Sequence, residues 1–175
     1  MDAIARDRDA LVASVRGLSP AQTDYRSDTA RWSIDDVLHH LALTEEATVK
    51  LLHIFSERAV QEGIGPDPTP ESSVLGSLQS KLAAADAVLV QAPERVTPRS
   101  KVEAGVALGR LESSRARVLT SLESLFAFDG SRLVHRHPFF GDLDLYQWLL
   151  AGGWHERRHT RQIERIKRDL PAFPT

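Results

Sequence analysis

Apolar residues recur at the three- and four-residue spacing of an α-helix along almost the whole chain, and strand-like alternation is scarce. The periodicity predicts five helices, over residues 2–16, 34–61, 71–90, 101–126 and 143–168. Ser33, followed three residues later by Asp36, is typical of the cap of the second helix. The chain is therefore predicted to be all-α, a four-helix bundle with an extra short helix, forming one domain over residues 1–175.

Glycine and proline mark the connections between these helices. Ser19-Pro20 breaks the chain after the first helix, and residues 63–70 form a loop with two glycines and three prolines. Asp129-Gly130 is typical of a turn. Residues 137–142, HPFFGD, fit an irregular link or a short hairpin before the last helix.

The composition excludes several classes of function. Lys and Arg number 22 against 24 Asp and Glu, so no positive excess is available to neutralise nucleic-acid phosphates. Cysteine is absent, which excludes disulfides, thiolate metal ligands and a cysteine nucleophile. No stretch approaches the roughly 18 apolar residues that span a membrane, and the charged N-terminus does not resemble a signal peptide. We therefore expect a cytoplasmic protein with no nucleic-acid or membrane partner.

Two histidines lie one turn apart on the last predicted helix. On a helical wheel His155 and His159 fall within about 40° of the apolar stripe formed by Trp148, Ile163 and Ile166. Each buried imidazole brings a polar nitrogen that needs a partner. The pair therefore indicates either core histidines satisfied by hydrogen bonds or two ligands of one metal ion.

A catalytic metal site usually takes three protein ligands and leaves a position open. His40 lies at the border of the apolar stripe of the second helix and is the candidate third ligand, whereas His39 points nearly opposite and is expected in solvent. His53 has no comparable partner. His135 and His137 are expected to be ordinary loop residues, with lining of the site mouth as the alternative.

Residues 155–159, HERRH, match the H-E-x-x-H pattern of zinc proteases. Such proteases take a third ligand from beyond the motif, but Glu164 and Asp169 share the helix of His159 and cannot fold back to the ion. A protease also positions its substrate along a sheet edge, and no sheet is evident. The sequence therefore argues against a zinc protease.

A carboxylate-bridged di-iron bundle is the next alternative, because Glu156-x-x-His159 fits Glu-x-x-His. That chemistry needs a second such motif and two further inward glutamates. The second helix supplies Glu45 and Glu46 but no second Glu-x-x-His. A mononuclear site of three histidines is the better interpretation.

Three segments together resemble the DinB-like superfamily, particularly its YfiT-like branch. They are RWSIDDVLHHLALTE at residues 31–45, SRA at 114–116 and HPFFGDLDLYQWLLAGGWHERRHTRQIERI at 137–166. The resemblance implies a four-helix bundle, often a homodimer, with a divalent metal held by three histidines. Carried over by position, those ligands are His40, His155 and His159, the same three that the helical wheels select.

The resemblance also implies a choice of reactions. Characterised members look like S-transferases that use low-molecular-weight thiols such as bacillithiol or mycothiol, or like thiol-dependent maleylpyruvate isomerases, and some are labelled metal-dependent hydrolases. In each, an open-sided metal lowers the pKa of a bound water or thiol. The metal is expected to be zinc, nickel, iron or manganese, all of which accept imidazole.

The leading prediction is a divalent-metal-dependent enzyme, a thiol-dependent S-transferase or a hydrolase, acting on a small electrophile. Glu156 is the candidate base or partner of a metal ligand. Gln162 either orients a ligand in the cavity or is an ordinary amide on the helix surface. Arg157 and Arg158 are expected to be solvated charges or dimer contacts. Metal affinity is expected to fall as the pH drops through about 6, because a ligating imidazole must be neutral. The alternative is a non-catalytic, metal-binding, stress-related bundle that acts as an interaction module.

Overall fold

The computed structural model describes residues 2–68, 78, 82–85 and 91–172. Its regular structure is almost entirely helical, which confirms the all-α prediction. The helices are α1 (Asp2–Val15), α2 (Pro20–Asp24), α3 (Ile34–Gln61), α4 (Ala104–Leu125) and α5 (Leu145–Arg168). A hairpin of β1 (His135–His137) and β2 (Gly141–Leu143) precedes α5, and single 3₁₀ turns cover residues 94–96 and 130–132.

The predicted helix ends are correct to within a few residues. α3 has the predicted bounds, whereas α4 begins later than expected because Glu103 is its N-cap. α5 begins at Leu145 because Leu143 still belongs to β2. The five-residue α2, capped by Ser19, was not predicted. The predicted helix at 71–90 lies largely outside the described residues, of which 78 and 82–85 are helical.

Capping boxes fix the starts of the two helices that carry the candidate ligands. The Ser33 hydroxyl accepts a hydrogen bond from the Asp36 amide at 3.2 Å, and the Asp36 carboxylate accepts one from the Ser33 amide at 2.9 Å. Asp144 and Gln147 do the same for α5. Each box satisfies amides that the helix itself cannot pair, so the helix starts are set locally by the sequence.

Two apolar clusters show how the helices run. The starts of α3 and α4 share one cluster with α1 and Ile163, near the end of α5. The ends of α3 and α4 share another with Leu145, at the start of α5. α3 and α4 therefore run in the same direction and α5 runs opposite to both. Among the described helices, none combines the length and apolar character that a membrane crossing requires.

Between these clusters, the middle of α3 is polar. Thr44, Glu45 and Glu46 are half-buried there, directly after the fully buried stretch of residues 34–42. Polar groups removed from water must be paired with one another. The polar middle of α3 therefore takes part in ion pairs through Glu45 and Glu46, and the candidate ligand His40 lies one turn before it.

Candidate metal centre

Three histidines from two helices converge on one point. The Nε2 atom of His155 lies 3.2 Å from Nε2 of His40 and 3.1 Å from Nε2 of His159. One ring nitrogen from each residue lies within 4.8 Å of the other two. The structure thus brings together the three residues that the sequence selects, with the predicted register at His40.

Hydrogen bonds on the far side of two rings settle which nitrogen carries the proton. Nδ1 of His40 lies 2.8 Å from the carbonyl oxygen of Val96, which can only accept, so this nitrogen is the donor. Nδ1 of His159 lies 2.8 Å from Oε1 of Gln162, which is likewise an acceptor. In the neutral rings, Nε2 of His40 and of His159 therefore carries a lone pair that points toward His155.

The surroundings keep these rings neutral. Burial lowers the pKa of His155 well below its usual value, and the neighbouring His159 and His40 lower it further. Burial lowers the pKa of His159 to about 3 and also lowers that of His40. A lowered pKa favours the neutral imidazole, the form that binds a metal.

A divalent cation fits this arrangement. Two imidazole nitrogens bound to one tetrahedral zinc at about 2.0–2.1 Å each lie roughly 3.3 Å apart, close to the observed contacts between Nε2 atoms. Lone pairs that face one another repel unless a cation or a proton lies between them, and the lowered pKa values disfavour the proton. The donor set of neutral imidazoles is the one that zinc, nickel and iron accept.

Trp32 and Val96 hold the His40 ring from two sides, and sequence reasoning identified neither as a site residue. Trp32 directly precedes the Ser33 cap, and its ring centroid lies 4.9 Å from that of His40 and 6.4 Å from that of His159. Val96 lies in a 3₁₀ turn that is 56 residues from His40. The Trp-Ser pair was a usable signal for Trp32, whereas a backbone carbonyl at Val96 leaves no trace in the sequence.

The candidate base Glu156 points into a buried ring of ion pairs. Its two carboxylate oxygens bind Arg8 and Arg115, the latter at 2.8 Å. The same two arginines bind Glu45 at 3.0 and 2.7 Å, which closes the ring across α1, α3, α4 and α5. We call Arg8, Glu45, Arg115 and Glu156 the ion-pair ring. Both oxygens of Glu156 are thus engaged by arginines, and the expected role as a base has no contact that supports it.

Gln162 occupies the position expected for an orienting residue. It lines the cavity, and its side-chain oxygen accepts from the His159 ring. Partners of this kind fix the orientation of a ligating imidazole and raise its basicity. In this structure Gln162 therefore orients the His159 ring by a hydrogen bond.

His39 corrects the sequence analysis. It was expected in solvent, but it is buried, and its Nδ1 has no hydrogen-bond partner among the described residues. The helical wheel fails here because every residue from Ile34 to Ala42 is buried, so the start of α3 is packed on all sides. A single apolar stripe describes a surface helix and not one surrounded by protein.

The three histidines open onto a cavity of about 1420 Å³. His135 and His137 line this cavity from the hairpin, so lining of the site mouth is the correct alternative for both. Burial, with a smaller effect from Arg95, lowers the pKa of His137 to about 4. His53 is exposed and contacts Glu57 at 3.4 Å, apart from the site.

Arg157 is exposed, as expected of a solvated charge, whereas Arg158 is not. Arg157 pairs with Asp7 on α1. Arg158 is half-buried, donates to the Ala85 carbonyl at 2.7 Å and lies over the ring of Trp154. Arg157 therefore links two helices, and Arg158 forms part of the cavity wall.

Comparisons with known proteins bear on the family and the fold of the chain. A family model described as the DinB superfamily matches residues 3–163. The chain is 27% identical over 157 residues to the uncharacterized protein YuaE of Bacillus subtilis (strain 168), covering 89% of this chain and 90% of YuaE. A solved structure titled as TT2238, a four-helix bundle protein, superposes with a TM-score of 0.60 at 22% identity and covers 93% of each chain. The last likeness confirms the predicted four-helix bundle.

Proposed function

The chain belongs to the DinB superfamily, and from this premise we propose that it is a divalent-metal-dependent enzyme that acts on a small electrophile. The proposed reaction is transfer of the electrophile to a low-molecular-weight thiol, with hydrolysis by water as the second candidate. The observation that carries the proposal is the convergence of three Nε2 atoms at the wall of an open cavity. A purely structural metal would need no such opening.

Each ligand has a defined part in this proposal. His40 and His159 keep Nε2 free of a proton because Val96 and Gln162 accept from the opposite nitrogen. His155 lies between them and completes the set. A divalent metal held there would supply a Lewis acid that lowers the pKa of a thiol or water ligand. The chain contributes the fixed ring orientations and the shape of the cavity around them.

The thiol is proposed to arrive as a substrate. The chain contains no cysteine, so no side chain supplies a sulfur nucleophile. The cavity volume of about 1420 Å³ exceeds the roughly 300–1,000 Å³ that encloses one small ligand. A cavity of this size has room for a thiol beside an electrophile. A cytoplasmic location, where such thiols are kept reduced, belongs to the same proposal.

Turnover measurements test this proposal. Protein purified without a histidine tag is assayed with a panel of small electrophiles, with several biological thiols, and with or without a chelator. We expect product formation that a chelator abolishes and that His159→Ala loses, while the matched variant His53→Ala, altered at an exposed histidine, retains it.

The outcome separates the candidates. Product that requires an added thiol supports the transferase, and product formed from water alone supports the hydrolase. If no electrophile gives chelator-sensitive product, but the chelator lowers the melting temperature, the non-catalytic bundle replaces both.

A further inference from the structure

The cavity beside the three histidines is positively charged in a chain whose net charge is −2. Of the described residues that line it, five are basic and two are acidic: Arg31, Lys50, Arg95, Arg158, Arg165, Glu46 and Asp169. Glu46 is already neutralised, since Arg110 binds both of its oxygens at 2.9 Å. A concave surface with one sign of charge concentrates ligands of the opposite sign.

Two of these cations flank His159 on α5. Arg158 and Arg165 are seven residues apart, about 10.5 Å along the helix axis, with His159 and Gln162 between them on the cavity side. Arg158 is adjacent to His159 in the chain, and Arg165 lies three residues beyond Gln162 on the wall of the same cavity. A group that lies near the three imidazoles is therefore also near a guanidinium.

Arg95 supplies a third cation from a different element. It belongs to the 3₁₀ turn at residues 94–96, directly before the Val96 carbonyl that orients His40. Arg95 and Arg165 form no hydrogen bond or ion pair with any residue that the structure describes. Their guanidinium groups therefore need not leave a protein partner to bind a ligand, and this lowers the cost of binding.

Aromatic rings form the wall on the hairpin side of the cavity. The ring centroid of His137 lies 4.6 Å from that of Phe140 and 4.7 Å from that of Trp148. Trp154 continues this wall, 5.6 Å from Phe140. Phe139, at the hairpin turn, is half exposed and also lines the cavity. Flat apolar surfaces of this kind pack against planar ligands.

We infer that the cavity binds a small organic oxyanion with a planar apolar body, and that Arg95, Arg158 and Arg165 are its specificity-determining residues. The oxyanion is a carboxylate or a phosphate, since a guanidinium donates a matched pair of hydrogen bonds to either. The inference rests on the proposed function in one respect, because it names the class of the electrophilic substrate. The aromatic wall holds the apolar body while the arginines hold the charged end.

Ligand binding tests the inference without any turnover. All three tryptophans of the chain, Trp32, Trp148 and Trp154, line the cavity, so their fluorescence reports its occupancy. Benzoate and phenyl phosphate are titrated against benzamide, a neutral compound of similar shape to benzoate, at low and high salt. The metal content of each sample is measured in parallel.

We expect the better of the two anions to bind at least about tenfold more tightly than benzamide, and salt to weaken only the anions. Arg95→Gln and Arg165→Gln should each weaken the anion about tenfold, the size of one charge-assisted hydrogen bond. Arg168→Gln is the matched control, because it removes an exposed arginine of the same helix that does not line the cavity. The difference between benzoate and phenyl phosphate identifies which oxyanion is preferred.

Three results would each overturn the inference. The first is benzamide binding as tightly as both anions. The second is Arg95→Gln and Arg165→Gln binding the anion as tightly as Arg168→Gln. The third is loss of the anion preference on chelation while the circular dichroism is unchanged, since the metal alone would then bind the anion. A preference that persists in metal-free protein supports the inference even if no turnover is found, so the two proposals fail separately.

Discussion

Replacing Glu156 by glutamine tests whether this residue is a catalytic base or a member of the ion-pair ring. The ring holds two arginines and two glutamates, so its charges balance. Glu156→Gln keeps the size of the side chain but leaves one arginine charge without compensation. The Glu156 side chain is 6% exposed and its partners Arg8 and Arg115 are 15% and 16% exposed, so solvent screens the excess charge poorly.

The expected magnitude follows from this burial. Removing one partner of a buried ion pair costs about 3–5 kcal/mol. Glutamine still offers one oxygen to an arginine, which favours the lower end, about 3 kcal/mol. For a chain of 175 residues this corresponds to a fall in melting temperature of about 6–12 °C. The loss should be much smaller if Arg115→Gln is added, because the remaining pair of Arg8 and Glu45 is again neutral.

Urea unfolding at neutral pH measures both variants. Glu123→Gln, at an exposed glutamate of α4, is the matched control and should change the free energy of unfolding by less than about 0.5 kcal/mol. A Glu156→Gln protein as stable as this control, but with lower turnover, would refute the ring and restore Glu156 as a base.

Four further predictions concern the candidate ligands and the start of α3. Gln162→Leu removes the acceptor for Nδ1 of His159 and should weaken the metal about tenfold or more in a chelator competition; unchanged affinity would contradict this role. Burial lowers the pKa of His159 to about 3, so the ring stays neutral in the folded protein. A bound metal should therefore remain bound during dialysis at pH 5.5, although ligands with the ordinary pKa of histidine would release it near pH 6. Because the pKa of His159 is lowered only in the folded protein, the unfolded chain binds more protons below about pH 6.5. The free energy of unfolding should therefore fall as the pH drops from there toward 3. A free energy of unfolding that does not change over this pH range would contradict the lowered pKa. Ser33→Ala deletes the cap of α3 and should cost about 1 kcal/mol, whereas Ser33→Gly should cost less.

The helix pattern and the grouping of the three histidines could be predicted from the sequence because both depend on local spacing. On α5 a helical wheel correctly places His159 on the buried side, and His155, one turn before it, is half-buried. The helical wheel of α3 gives the wrong position for His39, because the first turns of this helix are packed on all sides. Helical periodicity therefore locates a side chain only where a helix has a single buried face.

The rest of the site depends on contacts between distant parts of the chain. Arg8 lies 148 positions from Glu156, and Val96 lies 56 from His40. No local pattern indicates that an arginine of the first helix neutralises Glu156, the residue next to the candidate ligand His155. A carbonyl group is present at every residue, so only the folded structure shows that the carbonyl of Val96 is the one that accepts from His40.

Metal content in single-histidine variants tests the central claim most directly. Tag-free protein is exchanged with zinc, freed of excess metal and analysed by native mass spectrometry. The account predicts one bound ion per chain in the parent and in His39→Ala, and none in His40→Ala, although the two altered residues are adjacent and both buried. Equal metal retention by His40→Ala and His39→Ala would contradict the convergence of three imidazoles on one ion.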